Sequence, residues 1–277
     1  MLELAKAPFL GLYKYSGVMA AQERLSSWTG NCFLPILLFH RVTDEIPPDG
    51  LTVSTAWFRD LCRMLQRRFH VVSLTEAMDL IEGAQRWPRR VVAITFDDCY
   101  KDNLFAARVL AEHKLPACFF VPTAYPGTDH VFPWDVGLQR MANLTWDDIK
   151  EMVGLGHEIG SHTVHHVNMA QVSIDEARRE LQEAKETLER RTGRPTQWFA
   201  YPFGGRDNFL AERLALVREA GYRGCFSGFG GFATSAMKDQ IIPREPVPCF
   251  QSHLKLELHL AGCLDWMYAF KRRLGLT

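Results

Sequence analysis

The sequence predicts an α/β protein: a distorted (β/α) barrel of about seven parallel strands in a single domain. Three observations predict it. Short apolar runs alternate with stretches of helical period through most of residues 34–245. Runs such as Val91-Val92-Ala93-Ile94 are too uniformly apolar for a half-exposed strand and read as buried ones. No Gly-x-Gly-x-x-Gly turn follows an early strand, which argues against a dinucleotide-binding sheet.

The elements follow in order. Residues 35–39 form a short strand ending at His40, and Trp57, Phe58, Leu61, Cys62 and Leu65 mark a helix over 55–68. A strand at 69–74 precedes a short helix opened by Thr75 and ended near Gly83. The strand at 90–96 is followed by a helix carrying Leu104, Ala107, Val109 and Leu110, then by a strand at 117–121 that Pro122 stops. Residues 123–145 are turn-rich, and their aromatics Tyr125, Phe132 and Trp134 suit a substrate wall above a strand end. Thr145 caps a helix to Val153. Over 173–191, Ser173 and Glu176 have capping-box spacing, Ile174, Ala177, Leu181, Ala184 and Leu188 form one stripe, and the charges form a solvated face. Strands at 197–201, 222–227 and 240–242 surround a helix over 208–220. A helical extension over 1–30 and a C-terminal helix over 251–277 flank the body at 31–250.

Composition excludes several classes. Lys+Arg and Asp+Glu both number 32, so no global field favours nucleic acid. Seven scattered cysteines without a CxxC pair favour reduced thiols and a cytoplasmic location. No apolar run reaches the ~18 residues of a membrane span. The C-terminal stretch, with Trp266, Met267, Tyr268 and Phe270 before Lys271-Arg272-Arg273, packs on the body or touches a membrane surface as a peripheral contact.

Chemistry concentrates at two places. Asp97-Asp98 ends the 90–96 strand, at the edge where α/β proteins bind ligands. The relaxing pleat lets both carboxylates reach a cleft, so Asp98 can bind a metal while Asp97 takes a proton. His162 and His166 stand at i, i+4, a spacing that brings side chains together on a helical turn, and His165 at i, i+3 is an alternative. Carboxylate plus two histidines is a ligand set for a catalytic metal with open positions.

Thr95-Phe96-Asp97-Asp98, His162-Thr163-x-x-His166 and Tyr201-Pro202-Phe203-Gly204, in that order, resemble the motifs of NodB-homology polysaccharide deacetylases, carbohydrate esterase family four. The resemblance implies a barrel over 31–250 and hydrolysis of an N-acetyl group from an amino sugar. It implies Asp97 as general base, Asp98, His162 and His166 as metal ligands, and zinc as the metal, with cobalt or nickel as alternatives. It places substrate and oxyanion contacts at Tyr201, Pro202 and the Phe203 backbone N–H.

Three departures stand out. Cys99 replaces the glycine common after the Asp pair and reads as a small buried side chain. Ala200 replaces the arginine that orients the base in the family, and Arg244 is the candidate substitute. No late strand supplies the Leu-x-His acid, since Leu258-His259 lies in an apparent helix. The poly-N-acetylglucosamine deacetylase branch, with permuted strand order, resembles this chain at Phe39-His40-Arg41-Val42, which makes His40 the candidate acid. The substrate expected is an N-acetylated sugar, glycan or lipid-linked sugar at the cytoplasmic membrane face. Deformylase or cyclic-amide hydrolase activity, or a catalytically silent carbohydrate-binding protein, are the alternatives on the same scaffold.

Overall fold

A computed structural model describes residues 33–83, 87–137, 141–209, 211–237, 240–250 and 252–262. The expected extension over 1–30 and the basic end of the C-terminal helix lie outside the described residues.

The body is one parallel sheet that curls into a barrel. Its strands are β1 (Ile36–Phe39), β4 (His70–Val72), β5 (Val91–Phe96), β6 (Cys118–Val121), β7 (Glu158–Ser161), β8 (Trp198–Ala200), β9 (Gly224–Phe226), β10 (Ile241–Ile242) and β11 (Glu245–Pro246). They run in the order β10-β9-β8-β7-β6-β5-β1-β11, with β4 pairing the first half of β5. The two ends of that order are two residues apart in the chain. Ile241 and Ile242 pair with Cys225 and Phe226, whereas Glu245 and Pro246 pair with Leu37 and Leu38. One extended segment thus closes the barrel, with Pro243 and Arg244 at the seam. A two-residue pair, β2 (Arg41–Val42) with β3 (Thr52–Val53), stands apart from the sheet.

Side-chain alternation sorts the strands into two cores. Ala93, Cys118, Phe120, Trp198, Ala200, Phe226 and Ile242 form the interior cluster, while Ile94, Phe96, Phe119 and Val121 face the outer helices. Each buried Phe contributes roughly 1.5–3 kcal/mol of transfer free energy. Seven described helices surround this: α1 (Thr55–Arg68), α2 (Leu74–Ile81), α3 (Asn103–Glu112), α4 (Trp146–Gly154), α5 (Ile174–Thr192), α6 (Ala211–Glu219) and α7 (His253–Leu260). Of these, α2 adds Leu74, Ala77, Met78 and Ile81 to the interior cluster. Glu158, the first residue of β7, accepts the N–H groups of Leu74 and Thr75. So α2 plugs the end where strands begin, leaving the opposite mouth open. Its cap is Ser73 with Glu76, two residues before the expected Thr75, because that pair satisfies both end groups reciprocally.

One further expectation changes, and one of two alternatives fits the structure. The strand β7 is absent from the sequence reading because Glu158-Ile159-Gly160-Ser161 has one β-branched residue. Pairing with β6 and β8 on either side makes it a strand. Helix α7 buries Leu256, Leu258 and Leu260, so its described part packs on the body. No described helix is long and apolar enough to cross a membrane.

Candidate active site

The strand β5 ends at Phe96, and the backbone then turns sharply. Asp98 and Cys99 have φ of 74° and 57°, left-handed values that cost energy for non-glycine residues. This turn, rather than a relaxed pleat alone, brings both carboxylates to one cavity. Thr163, His166 and Phe203 also have positive φ, so four of the seven such non-glycine residues described lie in the three motifs, and Cys99 directly follows the first. Cys99 is a buried thiol whose pKa burial pushes up, which makes it inert packing.

His162 and His166 are not on a helix. They flank a loop after β7, and the left-handed residues Thr163 and His166 fold it back on itself. His162 Nδ1 lies 2.8 Å from the Ala200 carbonyl and donates to it, which leaves Nε2 as a lone-pair donor. His162 Nε2 and His166 Nε2 lie 3.4 and 3.2 Å from Asp98 Oδ1. His165 turns away, 2.7 Å from Glu180, whose other oxygen accepts the N–H groups of Val164 and His165. Glu180 is buried, not part of a solvated face as the helical pattern suggested, because it anchors this loop. A carboxylate on α5 therefore holds His165 away from Asp98, while His166 stands beside it.

The donor set suits a divalent cation. The three ligand atoms of Asp98, His162 and His166 lie within 4.8 Å of one another. Asp98 Oδ1 is buried and has no hydrogen-bond donor. Tetrahedral ligands about 2.1 Å from an ion sit about 3.4 Å apart, close to the separations seen. Burial pushes the Asp98 carboxyl up, but both imidazoles more than offset this and hold it well below the usual range.

Asp97 stays outside that triangle, 3.8 Å from His162 Nε2. Arg244 projects from the barrel seam and donates to both Asp97 oxygens at 2.7 Å. Its Nε donates to the Ser227 carbonyl at 2.8 Å, and its guanidinium lies 5.0 Å from the Phe120 ring centre. Burial raises the Asp97 pKa, but Arg244 and then His162 lower it further, so the carboxyl stays below its ordinary value. The guanidinium beside Asp97 thus comes from a residue 44 positions after Ala200.

The cavity at the open mouth has a volume of about 300 Å³. It is lined by His40, Asp97, Asp98, His162, His166, Tyr201, Phe203 and Arg244, and by Leu38, Gly50, Leu51, Trp134, Gly204, Gly228 and Pro246. Pro202 is not among its lining residues. The Tyr201 ring packs inward on Phe199 and Phe209, while Phe203 stands half-exposed over His166. Burial lowers the His40 pKa against the opposing pull of Asp98 and Asp97, and its Nδ1 has no hydrogen-bond partner. The expected aromatic wall is present as Trp134, stacked on Phe132 and 5.1 Å from His166. The sequence reading missed Gly50, Leu51 and Glu180, which carry no signal of their own and reach the site through long-range packing.

At the open mouth of a parallel α/β barrel, a carboxylate–histidine triangle that could hold a metal ion thus stands beside a separate, arginine-held carboxylate. Residues 84–225, just over half of the chain, match the polysaccharide deacetylase family, and the chain belongs to that family. It is 24% identical to YxkH of Bacillus subtilis over 195 residues, 69% of this chain and 62% of that one. It is 29% identical to the peptidoglycan-N-acetylglucosamine deacetylase of Bacillus cereus over 134 residues, 47% of this chain and 42% of that one. The chain spans from 42% to 62% of the curated relatives it matches. Among solved structures, the Streptococcus pyogenes deacetylase PplD in complex with acetate superposes with a TM-score of 0.71 and 23% identity, covering 83% of this chain and 98% of that one. IcaB from Ammonifex degensii gives 0.66 and 22%, covering 83% and 97%. These two likenesses establish the fold.

Proposed function

We propose that the protein is a metal-dependent carbohydrate N-deacetylase, hydrolysing the amide of an N-acetylated amino sugar in a polysaccharide or glycolipid precursor. The observation that carries this is two adjacent carboxylates with different partners in one cavity: Asp98 faces two imidazole nitrogens, and Asp97 faces Arg244. Asp98, His162 and His166 would hold the ion, zinc foremost, with cobalt or nickel as alternatives. When bound, the ion supplies Lewis-acid polarisation of the acyl oxygen and lowers the pKa of water.

The chain's own residues supply the rest. Asp97, ionised and oriented by Arg244, accepts the proton of the attacking water. The Phe203 backbone N–H donates to the acyl oxygen as negative charge develops there. His40 gives a proton to the departing amine, and its unpartnered buried Nδ1 supports a ring kept for function. The absence of an arginine at Ala200 would favour a silent binding protein, but Arg244 beside Asp97 removes that support. Action at the cytoplasmic membrane face is part of the proposal, supported by the unbridged buried thiols Cys62, Cys99, Cys118 and Cys225. Native protein found oxidised outside the cytoplasm would end that assignment.

The test is metal content together with acetate release across N-acetylated sugars, lipid-linked sugars and formylated analogues. We expect about one divalent ion per chain, acetate from at least one N-acetylated sugar, and an Asp97→Asn variant that keeps the ion and loses turnover. A fully metallated protein that binds glycan and releases no acyl group would sink the proposal.

A further inference from the structure

Arg41 directly follows His40, and its side chain is 1% exposed. A guanidinium keeps its charge, so burial at this depth demands partners. It has three. Nε donates to Thr52 Oγ1 at 2.9 Å, and one terminal nitrogen donates to Asp49 at 2.9 Å. The other donates to Asp135, in the loop between β6 and α4. Asp135 is 4% exposed and accepts the Tyr100 hydroxyl on its second oxygen at 2.6 Å. That hydroxyl in turn accepts Trp134 Nε1–H at 2.9 Å.

These partners sit in the two segments that wall the cavity. Gly50 and Leu51 lie between Asp49 and Thr52 on one side, and Trp134 precedes Asp135 on the other. Arg41, Tyr100 and Asp135 do not line the cavity themselves. An apolar contact could hold the loops as firmly without the desolvation cost of two buried ions. A planar fork adds orientation, because it sets the directions of its acceptors relative to one another.

We infer that Arg41, with Asp135 and Tyr100, is a positioning device for the substrate: it fixes the spacing between the Gly50–Leu51 wall and Trp134, and so governs how a sugar ring is held. This rests on the deacetylase reading above. Phe203 and His166, against which Trp134 packs, complete the aromatic side of that gap.

The test uses the full chain, loaded with metal, and the tetrasaccharide of N-acetylglucosamine. Arg41→Lys keeps the charge but cannot bridge three acceptors in one plane. Tyr100→Phe leaves the ion pair intact and removes only the hydroxyl that ties Trp134 to Asp135, so it folds where a charge change fails. Affinity is measured in an Asp97→Asn background, where no hydrolysis consumes the ligand. KM, kcat and the pH profile are measured for acetate release with Asp97 present. We expect Arg41→Lys to weaken affinity and raise KM about tenfold, and Tyr100→Phe about threefold, with kcat falling less than KM rises and the pH profile unmoved. A fall in kcat at constant KM and affinity, a loss in proportion to the unfolded fraction, or unchanged affinity in both variants would overturn the inference. So would an Asp97→Asn protein with no affinity for the tetrasaccharide. Absence of acetate release from the parent protein, with affinity present and sensitive to Arg41, would instead count against the catalytic reading alone.

Discussion

Arg244 donates one hydrogen bond to each oxygen of Asp97, both at 2.7 Å, across 147 residues of chain. The contact exists because the barrel closes at the residues flanking Arg244: Ile242 pairs with β9 and Glu245 with β1. The side chain at the seam therefore points at the end of β5. Breaking a buried pair by removing one partner costs about 3–5 kcal/mol, since the other charge is left uncompensated.

Arg244→Ala should therefore change both stability and pH dependence. Burial alone raises the Asp97 pKa, and Arg244 is the largest influence opposing it. Without the guanidinium the carboxyl holds its proton to higher pH. The acid limb of kcat/KM should move toward neutral, and the rate at low pH should fall further than the rate at high pH. Asp97→Asn should instead lose about 10²–10⁴-fold at every pH, because no base remains. A pH–rate profile of the two variants separates these outcomes.

The two neighbouring histidines should behave differently. His166→Ala removes a donor 3.2 Å from Asp98 and should abolish stable metal retention, whereas His165→Ala should leave metal content intact. Glu180→Ala frees the loop that holds both and should weaken metal affinity roughly 10-fold, as loss of an outer support does. Metal analysis after dialysis against a chelator series reads all three. Equal loss from His165→Ala and His166→Ala would show that the loop, not the ligand, decides retention.

Gly204 should not tolerate a side chain. A Cβ there would lie 2.7 Å from the backbone N and Cα of Gly228, and its φ is +35°. The two glycines also share a hydrogen bond, Gly228 N–H to Gly204 C=O at 2.9 Å. Gly204→Ala should lower stability by roughly 1–3 kcal/mol, as overpacking does. It should also displace the Phe203 turn that borders the cavity, so activity should fall at temperatures well below the melt. A melting curve with activity measured at each temperature tests both.

The chemistry was legible where it needs uncommon residue types at strand ends. Asp97-Asp98 follows an apolar run, and His162 and His166 follow a glycine-bounded segment, so both places stand out. Their relationship was less legible. Strand β7 is hidden because Gly160 sits where the Phe120 ring leaves no room for a Cβ, and the sequence there follows packing rather than β-propensity. Glu180 is spaced like a surface charge, and only the loop it grips shows otherwise. Arg41 and Asp135 are 94 residues apart, and no local pattern links them. Arg244 was findable only as the answer to a missing arginine at Ala200. Its reach to Asp97 depends on a barrel closure made by two short strand segments.

Asp102 offers a test that leaves the catalytic groups untouched. Burial raises its pKa from 3.8 to about 7, although Asn103 and the Val42 N–H hydrogen-bond it and Arg41 attracts it. The folded state thus binds this proton more tightly than the unfolded chain does. Its contribution to stability is therefore most favourable below about pH 4, declines as pH rises toward 7, and is level above that. A tenfold difference in proton affinity between the two states is worth about 1.4 kcal/mol. Asp102→Asn keeps the side-chain volume and one carbonyl acceptor while removing the titration. The variant should match the parent near pH 4 and exceed it by about 4 kcal/mol at pH 8, about three such tenfold steps. Denaturant melts of both proteins across that range measure the difference directly, and a difference that does not change with pH would show that Asp102 is not held protonated by burial.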